Sequence, residues 1–497
     1  MPDDDDGQTR AAMTPTASTA STAGTAPAAP TGPTAPAAPT TPTASTAPIA
    51  PAASTAPIAP AASTAPAAPT TPTASTAPIA PAASTAPAAP TGPTAPTGPT
   101  ALTALPTPPA LAERARDLAS LAGKHAADAD RERRLHPDVV RAVTDAGFGR
   151  HFVPARWGGT EGTFADLLTA VARVGEGCTS AAWVAALAAT VPRMAAHLPR
   201  EGQGEIWSDG PDTLLVGALM PLGRAERAPG GWRLTGTWSY VSGVDFSDWA
   251  LVCARTEGNG AEGNGAEANG AEANGAEVPR YFALPREAYT IRDTWFTVGM
   301  RGTGSNTLSV DDVYVPDHRV CTRAAVLGGE CPDGPATCTR VPLKAVNGLS
   351  FAAPVLGATR ALLAEWTRWA APRITATGGG DPRLAENALR HGVLARAAGE
   401  VDGAELLLDR TARAADAGPL DPLVTARGGR DCALAAELLL AAADQLFRAA
   451  GTSAQVEGSP FERGWRDVSA AVSHLVLRFE PAATAYAQAV LAAQRET

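Results

Sequence analysis

The sequence predicts an α+β protein of several domains: an N-terminal helical domain, a central β domain and a C-terminal helical bundle. Two periodicities lead to this prediction. Apolar residues recur at helical spacing in residues 110–212 and again in 340–497. Between them, in residues 213–320, apolar residues tend to alternate, which is typical of strands.

Residues 1–109 are predicted to be a disordered tail. From residue 11 they are almost entirely Ala, Thr, Pro, Ser and Gly, and the segment TPTASTAPIAPAASTAP occurs at Thr41 and again at Thr71. Frequent proline opposes a helix, and so few large apolar residues cannot offset chain entropy. About 390 residues remain, which is enough for a sizeable core in two or three lobes.

Two helical stripes support the N-terminal domain. The first contains Val139, Val140 and Val143, with Gly147 as a stop signal, and the second begins at Phe164. Both predict helices with one buried face.

The β domain contains two strand-like runs, Trp249–Ala254 and Tyr281–Leu284. They flank a repeat of the type EGNGA over 257–277, which predicts a flexible insertion at a hairpin tip. Ala/Leu-rich segments over 383–415 and 430–450 then predict the helices of the bundle.

Composition limits the partners. Forty basic and fifty acidic residues give a formal net charge of −10, which argues against nucleic acid. The six cysteines form no CxxC pair and no histidine pair has zinc spacing, so we expect no metal and a cytoplasmic location. No signal peptide and no strongly apolar run of about 18 residues is visible, so we expect no membrane span.

Four segments carry a resemblance to a known family. They are Phe152–Gly159 (FVPARWGG), Gly236–Gly243 (GTWSYVSG), Gly299–Asn306 (GMRGTGSN, followed by VYVP) and Arg463–Asp467 (RGWRD), with His474 seven residues further on. In this order they resemble the acyl-CoA dehydrogenase superfamily, over residues 110–494. Within it they resemble the two-component flavin-dependent monooxygenases of the 4-hydroxyphenylacetate hydroxylase type. The resemblance implies a central β-barrel or sandwich domain and a C-terminal four-helix bundle.

The second segment supplies candidate cofactor contacts. In a regular strand Trp238, Tyr240 and Ser242 share one face. An aromatic ring and a hydroxyl so placed could flank an isoalloxazine ring and hydrogen-bond its N5–O4 edge, but the pattern alone favours a half-buried strand with a core aromatic stripe. The resemblance implies that Ser242 contacts the flavin and that Tyr240 occupies a tryptophan position of the dehydrogenases.

The fourth segment separates oxygenases from dehydrogenases. Many acyl-CoA dehydrogenases place a glutamate base eight residues after an Arg-Asp pair like Arg466-Asp467, and that position here is Leu475. An apolar side chain cannot accept a proton. His474 stands where the oxygenase branch often has histidine. Imidazole titrates near neutral pH and can supply or hold a proton, so His474 is a catalytic candidate. Ser242, through its implied contact with the flavin, is the other. A satisfied core or surface histidine is the alternative.

Other candidates rest on weaker patterns. Arg301 lies in the glycine-rich third segment and could bind an anion. Arg373 resembles an arginine that reaches a neighbouring subunit's cofactor, and Gly451, Thr452 and Ser453 resemble a turn near the flavin. His197, between two prolines, is a candidate substrate contact or a capping histidine.

The resemblance implies the oxygenase component of a two-component monooxygenase. It would take reduced FMN or FAD from a separate NAD(P)H:flavin reductase and use O₂, through a C4a-hydroperoxyflavin, to hydroxylate or N-oxidise a small organic, biosynthetic substrate. It also implies a homotetramer. Two alternatives stay open: an FAD-dependent acyl-CoA dehydrogenase, and a catalytically silent flavoprotein-fold binding protein.

Overall fold

The computed structural model describes residues 111–256, 277–331, 334, 336–374 and 383–496. These residues belong to one compact unit, Ala101–Thr497. The predicted tail and nearly all of the repeat at 257–277 lie outside the described residues.

The N-terminal region is helical, as predicted. Val139, Val140 and Val143 are buried in the third helix, and Gly147 follows its end with φ +85°. Thr163 caps the fourth helix by accepting a hydrogen bond from the Asp166 backbone N–H. The helices are α1 Leu111–Lys124, α2 Ala126–Glu132, α3 Pro137–Asp145, α4 Phe164–Gly177, α5 Thr179–Ala195 and α6 Arg200–Ile206.

A seven-stranded mixed sheet forms the centre. Its strands are β1 Leu215–Ala228, β2 Gly231–Val241, β3 Trp249–Thr256, β4 Val278–Pro285, β5 Thr290–Arg292, β6 Asn306–Pro316 and β7 Val320–Thr322. They lie in the order β5-β6-β2-β1-β3-β4-β7, and only β1 and β3 pair in parallel among the described strands. Since β3 and β4 pair antiparallel with Thr256 opposite Val278, the repeat connects two adjacent strands.

The end of β2 departs from the sequence prediction. The pairing of β2 with β6 shifts register between Trp238 and Val241, and Tyr240 adopts φ +66°. Trp238 is fully buried, whereas Tyr240 is 76% exposed. The prediction that Trp238, Tyr240 and Ser242 share one face is therefore wrong, because a bulge breaks the alternation.

The C-terminal region is a helical bundle. After two short helices, α7 Arg323–Gly328 and α8 Thr337–Arg340, it contains α9 Leu343–Ala370, α10 Arg383–Asp416, α11 Pro422–Ala450, α12 Pro460–Val472 and α13 Phe479–Glu496. The segment Leu343–Arg373 is long and apolar enough to cross a membrane, but 78% of its most apolar window is buried inside the protein. That burial is typical of the central helix of a bundle.

Candidate active site

Ser242 lies at one end of a chain of hydroxyl groups. It follows β2 directly, and its Oγ is 2.8 Å from Ser305 Oγ, which in turn is 2.7 Å from Thr303 Oγ1. Thr303 Oγ1 donates to the Met300 carbonyl over 2.8 Å. From the other side, Trp183 Nε1 donates to Ser242 Oγ over 3.2 Å. We call this row of hydrogen bonds, from Trp183 through Ser242, Ser305 and Thr303 to the Met300 carbonyl, the hydroxyl chain.

Three rings form a second wall beside it. Trp183 lies on α5, Phe351 on α9, and His474 in the turn after α12. The His474 ring stacks on Phe351 with centroids 4.0 Å apart and meets the edge of Trp183 at 5.6 Å. Phe351 and Trp183 also touch, at 4.8 Å. We call these three rings the aromatic wall; Trp183 belongs to both groups.

The environment of His474 decides its charge. Burial lowers the pKa of His474 to about 4, so the ring is neutral at neutral pH. Its Nδ1 accepts a hydrogen bond from the Val476 backbone N–H over 3.4 Å, which leaves the ring proton on Nε2. The expectation that this imidazole titrates near neutral pH is therefore wrong in this structure, and His474 is a neutral imidazole with its proton on Nε2.

The helix ends before His474. α12 stops at Val472, and His474 begins a separate 3₁₀ turn. The position of the dehydrogenase glutamate holds Leu475, an apolar side chain that is 54% exposed and cannot accept a proton.

Charged groups lie behind the hydroxyl chain and hold its loop. Buried Asp467 accepts from the Met300 backbone N–H over 2.6 Å, and burial raises the pKa of Asp467 to about 6. Gly299 lies directly against the Arg466 carbonyl, where a Cβ would overlap the oxygen. The loop is thus fixed to α12, the helix that precedes His474.

Arg301 belongs to this support. Its guanidinium donates to the carbonyls of Asp130 and Thr297, at 2.7 and 2.9 Å. Arg466 also pairs with Asp130. Arg301 Nε also lies 3.6 Å from the Asp130 carboxylate. Because these groups already occupy its guanidinium, Arg301 links α2 to the loop, and the structure gives no support to a bound anion at this residue.

An open apolar patch adjoins Ser242. Tyr240, Phe296 and Val298 are 76%, 69% and 75% exposed, and Tyr240 meets the Trp295 ring edge-on at 6.0 Å. Trp238, by contrast, packs in the sheet core and donates its Nε1–H to the Cys253 carbonyl. Trp238 has no surface open to a ligand, so it leaves the set of cofactor contacts.

The remaining candidates lie away from Ser242. His197 follows α5 roughly 20 Å along its axis from Trp183, and both its ring nitrogens are buried without a hydrogen-bond partner. Arg373, which donates to the Trp369 carbonyl, lies roughly 30 Å from Phe351 along the direction of α9. Gly451, Thr452 and Ser453 are exposed, beyond the opposite end of α12 from His474.

Sequence reasoning missed Trp183 and Phe351. Both lie in Ala-rich helical runs, where an aromatic residue reads as core. Thr303 and Ser305 were noted only as members of a glycine-rich loop. Nothing in their spacing shows that the loop meets Ser242, which is about 60 residues earlier in the chain.

The chain resembles known proteins over most of its folded part. The N-terminal domain of acyl-CoA dehydrogenases matches residues 108–205 and the C-terminal domain matches residues 349–479. The FADH(2)-dependent resorcinol hydroxylase oxygenase component of Rhizobium sp. (strain MTP-10005) is 31% identical over 77% of this chain and 94% of the relative.

Solved structures agree. The 3-HSA hydroxylase from Rhodococcus sp. RHA1 superimposes with a TM-score of 0.70 at 25% identity, over 78% of this chain and 97% of that one. XiaF from Streptomyces sp., in complex with FADH2 and glycerol, gives 0.68 at 28% identity over 77% and 95%.

Fold and site together define a flavin-dependent enzyme with the acyl-CoA dehydrogenase fold. The chain belongs to the oxygenase components of two-component flavin-dependent monooxygenases. It therefore uses reduced flavin and O₂, acts on a small molecule and depends on a partner flavin reductase. This agrees with the sequence prediction and disfavours both the dehydrogenase and the silent binding protein.

The residues present fit a flavin. Ser242 offers a half-buried hydroxyl, and beside it lies an apolar patch able to cover a planar ring. Tyr240 holds a positive φ, a strained conformation of the kind found at ligand sites.

Proposed function

We propose that this monooxygenase hydroxylates a phenol, with Ser242 at the N5 edge of the flavin and His474 facing the reacting oxygen. Reduced flavin, when bound, would supply the two electrons that activate O₂, and O₂ would supply the oxygen atom that is transferred. The observation that carries the proposal is that Trp183 contacts both the Ser242 hydroxyl and the neutral His474 ring, which also stacks on Phe351. A hydroxyl and a neutral N–H donor therefore lie near the same aromatic wall. The relative named for resorcinol supports a phenolic substrate.

Each residue has a separate task. Ser242 orients the flavin by a hydrogen bond. His474 donates its Nε2–H towards the oxygen being transferred and, being neutral, does so without a charge to be desolvated. Phe351 and Trp183 exclude water and offer ring faces against which an aromatic substrate can lie. Tyr240 covers the flavin from the sheet side.

The experiment supplies anaerobically reduced FMN or FAD, oxygen and a panel of phenols that includes resorcinol, and measures hydroxylated product and hydrogen peroxide. We expect His474→Ala to lower product by roughly 100-fold while peroxide rises, because one donor in a dry site is lost. Thr359→Val is the matched control, since Thr359 is a buried residue of α9 whose hydroxyl donates only to the Val355 carbonyl. Equal product from His474→Ala and the control would contradict the role of His474.

The assembly and location belong to the same proposal. Leu389 and Leu406 on α10 and Leu491 on α13 are exposed leucines on the bundle surface, which supports contacts between bundles in a homotetramer. In such an assembly Arg373, with the turn at Gly451, would be available to a neighbouring subunit's flavin. The six cysteines are buried free thiols, which supports the cytoplasm. Light scattering after gel filtration measures the oligomeric state.

A further inference from the structure

We propose that Thr303 and Ser305 are positioning residues that lock the Ser242 hydroxyl as a hydrogen-bond acceptor, so that Ser242 recognises the N5–H of reduced flavin and disfavours oxidised flavin. This inference rests on the proposed place of Ser242 at the N5 edge. It is carried by the two ends of the hydroxyl chain: one end can only accept a hydrogen bond, and the other can only donate one.

At one end of the chain, the Met300 carbonyl can only accept a hydrogen bond. Thr303 Oγ1 lies 2.8 Å from the Met300 carbonyl oxygen, and a carbonyl has no proton to give. The single hydroxyl proton of Thr303 therefore points to Met300. At the other end, the indole Nε1–H of Trp183 can only donate, and it points to Ser242 Oγ.

These ends fix the protons between them. With the Thr303 proton committed, the 2.7 Å contact between Thr303 and Ser305 requires Ser305 to donate. With the Ser305 proton committed, the 2.8 Å contact between Ser305 and Ser242 requires Ser242 to donate. All four hydrogen bonds then run in one direction, from Trp183 to Met300, and each strengthens the next.

Because Ser242 donates its proton to Ser305, it has one lone pair free for a ligand and no proton to donate to that ligand. A hydroxyl has one donor and two acceptor sites, and Trp183 already occupies one of the acceptor sites. Thr303 and Ser305 are 2% and 4% exposed, so water does not offer their protons another partner. Reduced flavin carries a hydrogen on N5 and can donate to this lone pair. Oxidised flavin presents a bare N5 lone pair, which would face the lone pair of Ser242.

The Met300 carbonyl, which accepts the last hydrogen bond of the chain, is held in place. The Met300 backbone N–H donates to Asp467 over 2.6 Å, and the Met300 carbonyl also accepts from Trp295 Nε1 over 3.0 Å. Met300 has φ +56°, so this conformation is maintained by its surroundings. The carbonyl is thereby kept pointing at Thr303, and the direction of the chain does not reverse.

The test measures dissociation constants of reduced and oxidised FMN and FAD by anaerobic equilibrium dialysis, not activity. The wild-type protein should bind reduced flavin more tightly. Thr303→Val removes the hydroxyl at nearly constant volume, so the Ser305 proton can turn to Ser242 and free the Ser242 proton to donate to oxidised flavin. We expect the preference for reduced flavin to fall roughly tenfold, mainly through tighter binding of oxidised flavin. Ser305→Ala should act in the same direction.

Two controls separate hydrogen-bond direction from structural damage. Thr303→Ser keeps the hydroxyl and should restore the wild-type preference. Thr359→Val removes an equally buried hydroxyl outside the chain and should leave the preference unchanged.

The outcomes distinguish this inference from the function it rests on. If Ser242→Ala leaves the affinity for reduced flavin unchanged, the placement of Ser242 at the flavin is wrong. If Ser242→Ala weakens reduced flavin while Thr303→Val and Ser305→Ala both keep the full preference, the placement stands and the locked direction is overturned.

Discussion

The two sides of the site reach electrical neutrality by different means. On the sheet side, the hydroxyl chain connects short polar side chains by hydrogen bonds of 2.7–2.8 Å. On the helical side, the aromatic wall surrounds one imidazole and keeps it uncharged by burial. The charged groups, Asp130, Arg466 and Asp467, lie behind the hydroxyl chain and hold its loop. The difference teaches that charge here supports the site, and neutral donors and acceptors line it.

Trp183 joins the two sides, and its removal should have the largest effect. We expect Trp183→Ala to lower the free energy of unfolding by about 3 kcal/mol, because a buried ring and its contacts with Phe351 and His474 are lost. Trp183→Phe keeps a ring and loses only the Nε1 donor, so it should cost about 1 kcal/mol. Urea unfolding measures both. Equal losses would mean that the hydrogen bond to Ser242, and not the wall, dominates.

Gly299 tests the support of the sheet side alone. Gly299→Ala places a methyl group on the Arg466 carbonyl, and we expect a loss of about 2 kcal/mol in the free energy of unfolding. Gly399→Ala in α10 is the matched control, since nothing lies within 4 Å of that position. A helix-interior alanine there should stabilise by about 1 kcal/mol. A neutral Gly299→Ala would show that the loop can move away from α12.

Asp467 gives the supporting charge a pH dependence. Because burial raises the folded-state pKa of Asp467 from its ordinary value of 3.8 to about 6, the neutral acid is favoured in the fold. The resulting stabilisation is present below about pH 4 and is lost as pH rises through about 6. Relative to Asp467→Asn, wild type should therefore lose about 2 kcal/mol between about pH 4 and pH 8.

Denaturant unfolding of both proteins at each pH measures this difference. The buried histidines, whose pKa values are lowered, contribute the opposite dependence to both proteins and cancel in the comparison. If the difference in the free energy of unfolding between wild type and Asp467→Asn does not change with pH, the Asp467 carboxylate is exposed to water.

Tyr240 should give the smallest effect on stability. Its side chain is 76% exposed, so Tyr240→Ala should change the free energy of unfolding by about 0.5 kcal/mol or less. We expect weaker flavin binding all the same, because Tyr240 covers the cofactor in the proposed site. Unchanged flavin affinity, measured by equilibrium dialysis, would remove the open patch from the flavin site.

Local patterns selected two residues that lie together in the structure. The strand-like GTWSYVSG segment and the RGWRD segment identified Ser242 and His474, and the structure places both beside Trp183. Strand alternation failed at Trp238, because a bulge depends on the register with β6, which is about 70 residues away. Arg301 was chosen by residue type within a glycine-rich loop, and neither feature shows that its guanidinium already donates to the carbonyls of Asp130 and Thr297.

By itself, the sequence determined the order of helices and strands, the family, and two polar residues near its motifs, because these depend on spacing along the chain. Only the tertiary structure decided that Trp183, Phe351 and His474 form one wall, and that Ser305 and Thr303 meet Ser242. It also decided that burial keeps His474 neutral. These properties depend on burial and on contacts between distant segments, and such contacts leave no periodic trace in the sequence.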